Sequence, residues 1–340
     1  MAPPFRTPSD SGRRPLSPTS NQLFPHVIPY GAPPFKSANY RDALSRAEKF
    51  SRHRSATVLI QGESGTGKTL LARRIHEMSS QTQAPFRTCV LSALDDALAS
   101  DELFGHVPGA FTGAREVRAG VFASASGGTV FLDEIGKASL NVQQKLLDAI
   151  ESHVIVPLGS DRQITVDVRV IAAANVPLDE LVREGKFLPD LYARLKIFRI
   201  ALPPLRDRRE DIPILVEQCL TRHAAACGYS SLPVFEEPLM TALMRAPWPD
   251  NLRELDGTIH RLLVEADGAP LVTCAHCLDD LSFVTASSKP KAAPNAATVR
   301  EAVARIKKKS AAARELGTSR STLYRRLEES IPPSSETPVL

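Results

Sequence analysis

Gly62-Glu63-Ser64-Gly65-Thr66-Gly67-Lys68-Thr69 is the stretch that decides the fold. It satisfies the pattern G-x-x-x-x-G-K-[ST], follows the apolar run Val58-Leu-Ile and precedes the helical run Leu70 to His76. In a strand, glycine loop and helix of this order, loop N–H groups wrap phosphates at a helix N-terminus, where the dipole also favours an anion. All eight residues, Gly62 to Thr69, are therefore nucleotide-binding candidates. Lys68 is placed to reach the β- and γ-phosphates of ATP, and the Thr69 hydroxyl to take a position on Mg2+.

Working outward, Gly127-Gly-Thr-Val-Phe-Leu-Asp133-Glu134 reads as a buried strand ending in two acids. Behind a phosphate loop this arrangement assigns Asp133 to the metal and Glu134 to the attacking water, so ATP hydrolysis is the expected chemistry. Further strands at Thr57-Val-Leu-Ile and Val168-Arg-Val-Ile-Ala-Ala alternate with helical patterns such as Val142 to Ile150. That alternation predicts an α/β fold with a parallel sheet. After Leu202-Pro-Pro-Leu205 the strand signals stop, and Ile212 to Cys227, Glu236 to Arg245 and Leu252 to Ala266 all read as helices, which predicts a helical lid.

The chain has 340 residues, 43% hydrophobic and 24% charged, near the averages for soluble globular proteins and enough for about two domains. Nine of its 27 prolines fall in residues 1–34, which predicts a disordered tail over residues 1–35. Five cysteines do not make a disulfide framework, and no signal peptide or membrane-length apolar run is visible. The expectation is a cytoplasmic, reduced protein with no membrane partner. Ser-Ser-Lys-Pro-Lys-Ala-Ala-Pro marks a linker over residues 284–297, and residues 331–340 read as a second disordered tail.

The net charge of +4 is unevenly placed. Residues 299–329 hold nine Lys/Arg and four Asp/Glu, a block of +5, which leaves the rest at −1. Within that block, Ser310 to Leu327 reads as a helix, a turn at Gly317 and a second helix opened by Thr318 or Ser319. This is the helix-turn-helix plan, and it implies double-stranded DNA as a partner. Ser319, Arg320, Ser321 and Thr322 lie in the first turn of the second helix, placed for base edges, while Arg325 and Arg326 suit phosphates and Tyr324 either the core or the DNA backbone.

Glu102-Leu-Phe-Gly-His106 followed by Gly109-Ala110-Phe111-Thr112-Gly113-Ala114 resembles the signature of bacterial enhancer-binding proteins, the AAA+ activators that remodel sigma-54 RNA polymerase. Asp167-Val-Arg-Val-Ile-Ala-Ala-Ala-Asn175, Leu202-Pro-Pro-Leu-Arg-Asp-Arg-Arg-Glu-Asp-Ile212 and Trp248-Pro-Asp-Asn-Leu-Arg-Glu-Leu255 carry the same resemblance, as does the C-terminal module, which is similar to Fis-type domains. It implies an AAA+ α/β subdomain at 36–205, a lid at 206–283 and a Fis-type domain at 298–330. It further implies that Gly109 to Ala114 form a loop contacting sigma-54, that Asn175 senses the γ-phosphate and that Arg253 is a second sensor reaching from the lid. Arg194 would be a finger acting on the neighbouring subunit's nucleotide, which requires a ring, expected to be a homo-hexamer. With only a short tail before residue 36, no sensor domain is expected there, and the reading is a sigma-54-dependent activator that hydrolyses ATP while bound to upstream DNA.

The sequence also departs from that family. Thr69 stands where the family usually has Glu, Val90 where it carries an Asn that pairs with the catalytic Glu, Leu188 where it has a further intersubunit Arg, and Ala174 where it has Thr beside the sensor Asn. Val107-Pro108 replaces a charged pair. These changes predict altered coupling of hydrolysis to the neighbouring subunit, and they keep open an alternative, a DNA-bound member that binds ATP but hydrolyses it weakly as a partner subunit or a repressor. Cys274-Ala-His-Cys277 is read as an ordinary turn, since one C-x-x-C lacks further ligands.

Overall fold

The computed structural model describes residues 35–276, apart from 55, 81 and 94. They belong to the first of two compact units, which ends at Cys277. The tail at 1–34, the linker and the helix-turn-helix residues Ser319 to Arg326 lie outside the described residues.

The described chain opens with α1 (Ala38–Ser51), capped by the Ser37 hydroxyl, which accepts from the Tyr40 N–H at 3.4 Å. Phe35 is already part of the packed structure, buried edge-on against Tyr40. Then follow β1 (Val58–Gln61), α2 (Lys68–Glu77), β2 (Phe86–Val90), α3 (Asp96–Phe104) and the hairpin β3 (Gly105–His106) with β4 (Arg118–Ala119). Next come α4 (Val121–Ser124), β5 (Thr129–Asp133), α5 (Leu140–Ser152) and a second hairpin, β6 (Val154–Ile155) with β7 (Ile164–Thr165). β8 (Arg169–Ala174), α6 (Leu178–Arg183), α7 (Pro189–Leu195) and β9 (Phe198–Ala201) complete the α/β part.

Five strands form a parallel sheet in the order β2-β5-β8-β1-β9. β1 and β8 are buried throughout and β5 up to its last residue, because helices cover both faces and such strands need no alternation of polar residues. Leu59, Leu132 and Ala172 pack on one face against Leu146, Phe187 and Leu191. Arg169 is also buried, with burial pushing its guanidinium down to about 10, and it donates to the Phe50 and Ser51 carbonyls at 2.7 and 3.2 Å. It thereby adds a charged donor to the last carbonyls of α1.

The lid consists of α8 (Ile212–His223), α9 (Glu237–Arg245) and α10 (Asn251–Glu265), close to the three helices read from the sequence. One expectation is corrected here. Strand pairing does not stop at Leu205, since β10 (Val234–Phe235) and β11 (Leu271–Val272) form a two-residue parallel pair within the lid. Ladders that short leave no periodic signal.

Candidate nucleotide and partner sites

The phosphate loop spans the gap between β1 and α2. Gly67, at the helix N-cap, supplies no side-chain cap, so the first N–H groups of α2 stay open to an anion. Lys68 Nζ donates to the Gly62 and Glu63 carbonyls at 2.8 Å each, which arches the loop over the lysine. Burial holds the ammonium below the usual lysine range, against the pull of Asp133 and Glu134. The β5 carboxylate comes to the same place: Thr69 Oγ1 donates to Asp133 Oδ2 at 3.2 Å. Burial raises the Asp133 carboxyl, an arrangement relieved by a cation.

Glu134 adopts φ +55°, a left-handed conformation uncommon for a residue with a side chain, and its N–H donates to Asp133 Oδ1 at 2.9 Å. The end of β5 therefore separates the two acids, one beside Thr69 and one turned beyond the strand. Asn175 follows β8 at the same sheet edge, where the Gly62 N–H donates to the Ala174 carbonyl at 3.2 Å. Val90 pairs in register with Asp133, one residue before Glu134, and is exposed. An apolar, exposed side chain thus ends the strand beside the two acids.

The lid closes directly on this loop. Arg253 Nη1 donates to Ser64 Oγ at 3.1 Å, Asn251 Nδ2 to the Ser64 carbonyl at 2.8 Å, and the Leu252 N–H to the Gly65 carbonyl at 2.9 Å. Gly65, at φ +73°, is required by this contact, since a Cβ there would lie 2.1 Å from the Asp250 carbonyl oxygen. Arg206 grips Glu63 with two hydrogen bonds, at 2.5 and 2.7 Å, and holds that carboxyl below its ordinary value. Arg208, buried over the Tyr40 ring, donates to the Thr66 carbonyl at 3.2 Å. Just before Asn251, the buried Trp248 takes φ +47° and donates Nε1–H to the Leu243 carbonyl at 2.9 Å. Arg206, Arg208 and Asn251 had no assigned role in the sequence reading. They lie in the quoted Leu202 and Trp248 motifs, which gave the signal, but their partners are over 140 residues away.

Arg194 does not join this site. Its carbonyl accepts from Thr57, which precedes β1, so it sits at the opposite end of a four-residue strand from the phosphate loop, about 13 Å along the chain direction. Its Nε donates instead to Glu151 Oε1 at 2.6 Å, on an exposed surface. Leu188 stands at the N-cap of α7 and packs against the core, its N–H donating to buried Gln143 Oε1 at 2.8 Å.

Gly109 to Ala114 form a tight surface loop between β3 and β4. The Gly109 N–H donates to the Ala114 carbonyl at 2.8 Å and Ala114 N–H to the Phe111 carbonyl at 3.0 Å. Gly109 and Gly113 take φ +84° and +102°, with open space where a Cβ would stand, and Phe111 is 46% exposed. The loop leans on the second hairpin, where the Val107 N–H donates to the Leu158 carbonyl at 3.1 Å. Among the described residues no cluster of three or more His, Cys, Asp or Glu could hold a metal, and no helix is long and apolar enough to cross a membrane. Cys277 lies outside the described residues.

A parallel sheet carrying a phosphate loop, two acids on the neighbouring strand and a helical lid closed on that loop define a P-loop NTPase of the AAA+ type. Three family models match in tandem: the Sigma-54 interaction domain over residues 35–201, the AAA+ ATPase lid domain over 206–294 and the Bacterial regulatory protein, Fis family, over 301–329. The chain belongs to the family of sigma-54-interacting AAA+ regulators that these parts compose. It is 42% identical over 245 residues to a Nif-specific regulatory protein of Azospirillum brasilense, covering 72% of this chain and 39% of that protein. It is 46% identical over 219 residues to the DNA-binding transcriptional regulator NtrC of Klebsiella pneumoniae, covering 64% of this chain and 46% of the relative. The chain thus spans less than half the length of either relative. Among solved structures, NtrX from Brucella abortus in complex with ADP has a TM-score of 0.68 at 27% identity, with 86% of this chain and 68% of that chain covered. The same protein in complex with ATP gives 0.64.

Proposed function

We propose that this chain is a sigma-54-dependent transcriptional activator that hydrolyses ATP to remodel sigma-54 RNA polymerase while its C-terminal module holds upstream DNA. One observation carries the reading: a single unit joins a lid-latched phosphate loop and its two acids to a glycine-flanked loop that presents an exposed Phe111. The cradle fits a nucleotide, with an uncapped helix N-terminus, a buried lysine ammonium and a lid residue within reach of the loop. Asp133 and Thr69 fit Mg2+, a half-buried carboxylate and a hydroxyl already paired with each other.

Bound Mg2+ would neutralise triphosphate charge. Lys68 binds the β- and γ-phosphates, Arg253 fixes the lid over them, and Asn175 senses the γ-phosphate from the end of β8. Glu134 orients the attacking water and takes its proton. Arg194 is too far from its own loop, and its exposed position supports a finger serving the next subunit of a hexameric ring. Phe111 and Thr112 meet sigma-54, and the residues from Ser319 to Arg326 meet double-stranded DNA. Val90 beside Asp133 and core-packed Leu188 support altered coupling between subunits.

Transcription in vitro from a sigma-54 promoter tests the reading. Open complexes should form with sigma-54 polymerase and this protein only when ATP is supplied. Their absence with hydrolysable ATP, under conditions where turnover is measured, would overturn it.

A further inference from the structure

The loop presenting Phe111 rests on a support that none of the assigned roles uses. His106, on β3 and only 9% exposed, meets the Phe111 ring edge-on, with centroids 4.9 Å apart and planes at 65°. Its other side is fixed, since His106 Nδ1 lies 2.5 Å from Asp101 Oδ1. Burial works against the Asp101 charge, but hydrogen bonds from His106 and Arg118 outweigh it and hold the carboxyl below its ordinary value. An ionised carboxylate only accepts, so Nδ1 carries the proton and the ring orientation is set. Arg118, paired with His106 across the hairpin, donates to Asp101 Oδ2 at 2.6 Å and also to Glu102. Asp101 itself stands near the end of α3, so the chain of contacts runs from the helix that follows β2 to the tip of the partner loop.

We propose that Asp101, His106 and Arg118 form a pedestal in which His106 is the positioning residue for Phe111, holding the loop in the conformation that presents Phe111 at the surface. This rests on the proposed sigma-54 reading for what the loop meets, and not for the pedestal itself. The edge-to-face contact is of the size that shifts a local equilibrium by about three- to tenfold.

Two measurements on the full chain separate these levels. Arg115, exposed directly after the loop, is a tryptic site whose cleavage rate, read by mass spectrometry, reports loop order without any partner. His106→Asn keeps a donor toward Asp101 but removes the ring, and Phe111→Leu keeps apolar bulk without the aromatic face. Each should speed cleavage after Arg115 about three- to tenfold, the double variant should be no faster than the faster single variant, and ATP turnover of His106→Asn should stay within about twofold of the parent. An unchanged rate in His106→Asn, or rates that multiply in the double variant, would overturn the pedestal. Sigma-54 capture is the second measurement, and it should fall in the same non-additive pattern. If Phe111→Leu leaves capture unchanged while cleavage follows the expected pattern, the pedestal stands and the sigma-54 reading of the loop fails.

Discussion

Two acids adjacent in sequence, Asp133 and Glu134, are turned apart by one backbone torsion, which suits them to the different work proposed for them. Glu134→Gln should lower ATP turnover by about 10²–10⁴-fold while leaving nucleotide binding near the parent value, measured by steady-state turnover and a fluorescent nucleotide titration. Undiminished turnover would remove Glu134 from the chemistry. Asp133 carries a pH consequence: burial raises its carboxyl, so it becomes neutral at a higher pH than an ordinary aspartate. The folded, metal-free state therefore binds that proton more tightly than the unfolded chain, and acid relieves the burial cost rather than adding to it. Mg2+ affinity should begin to fall on acidification above the ordinary aspartate range, by about tenfold per pH unit below the raised value, as followed by calorimetry.

At the scale of elements, the phosphate loop and the start of α10 behave as one unit. Gly65→Ala would drive a Cβ into the Asp250 carbonyl and force a left-handed alanine, so nucleotide affinity should drop by about tenfold or more. The Glu63–Arg206 pair is half exposed and should contribute at most about 1 kcal/mol, so Arg206→Ala should lower Tm by only a few degrees. Because Arg206 depresses the Glu63 carboxyl, this contribution is complete above the ordinary carboxylate range and is lost as pH falls through the lowered value. The Tm gap between parent and variant should hold constant at neutral pH and close in acid. The central strands were legible in sequence because double-sided burial writes an unbroken apolar run, as in Val130-Phe-Leu and Val170-Ile-Ala-Ala. The edge strands β2 and β9 were not, since Phe86-Arg-Thr-Cys-Val and Phe198-Arg-Ile-Ala mix exposed and buried positions without strict alternation. The phosphate loop was legible from local spacing, whereas the Arg206, Arg208 and Asn251 latch depends on contacts that only the folded chain creates.

For the whole molecule, the finger role proposed for Arg194, which lies far from its own phosphate loop, would make an assembly the unit of activity. Turnover per chain should rise with protein concentration and then level off. Lys68→Ala and Arg194→Ala, each inert alone, should regain about a quarter of parental turnover when mixed in equal amounts, the fraction of interfaces that join an intact loop to an intact finger in a randomly mixed ring. No recovery in a mixture shown to co-assemble would place the finger elsewhere.

Trp248 gives the molecule an internal optical probe. It is the only tryptophan of the chain, fully buried, and sits at the turn from which the lid reaches the phosphate loop. Intrinsic emission therefore reports one place, the turn between α9 and α10 that contacts the phosphate loop, with no label and no competing indole. Any motion that lets water reach that indole would redden the spectrum, so a rearrangement of this turn on nucleotide binding would be visible in the unmodified protein.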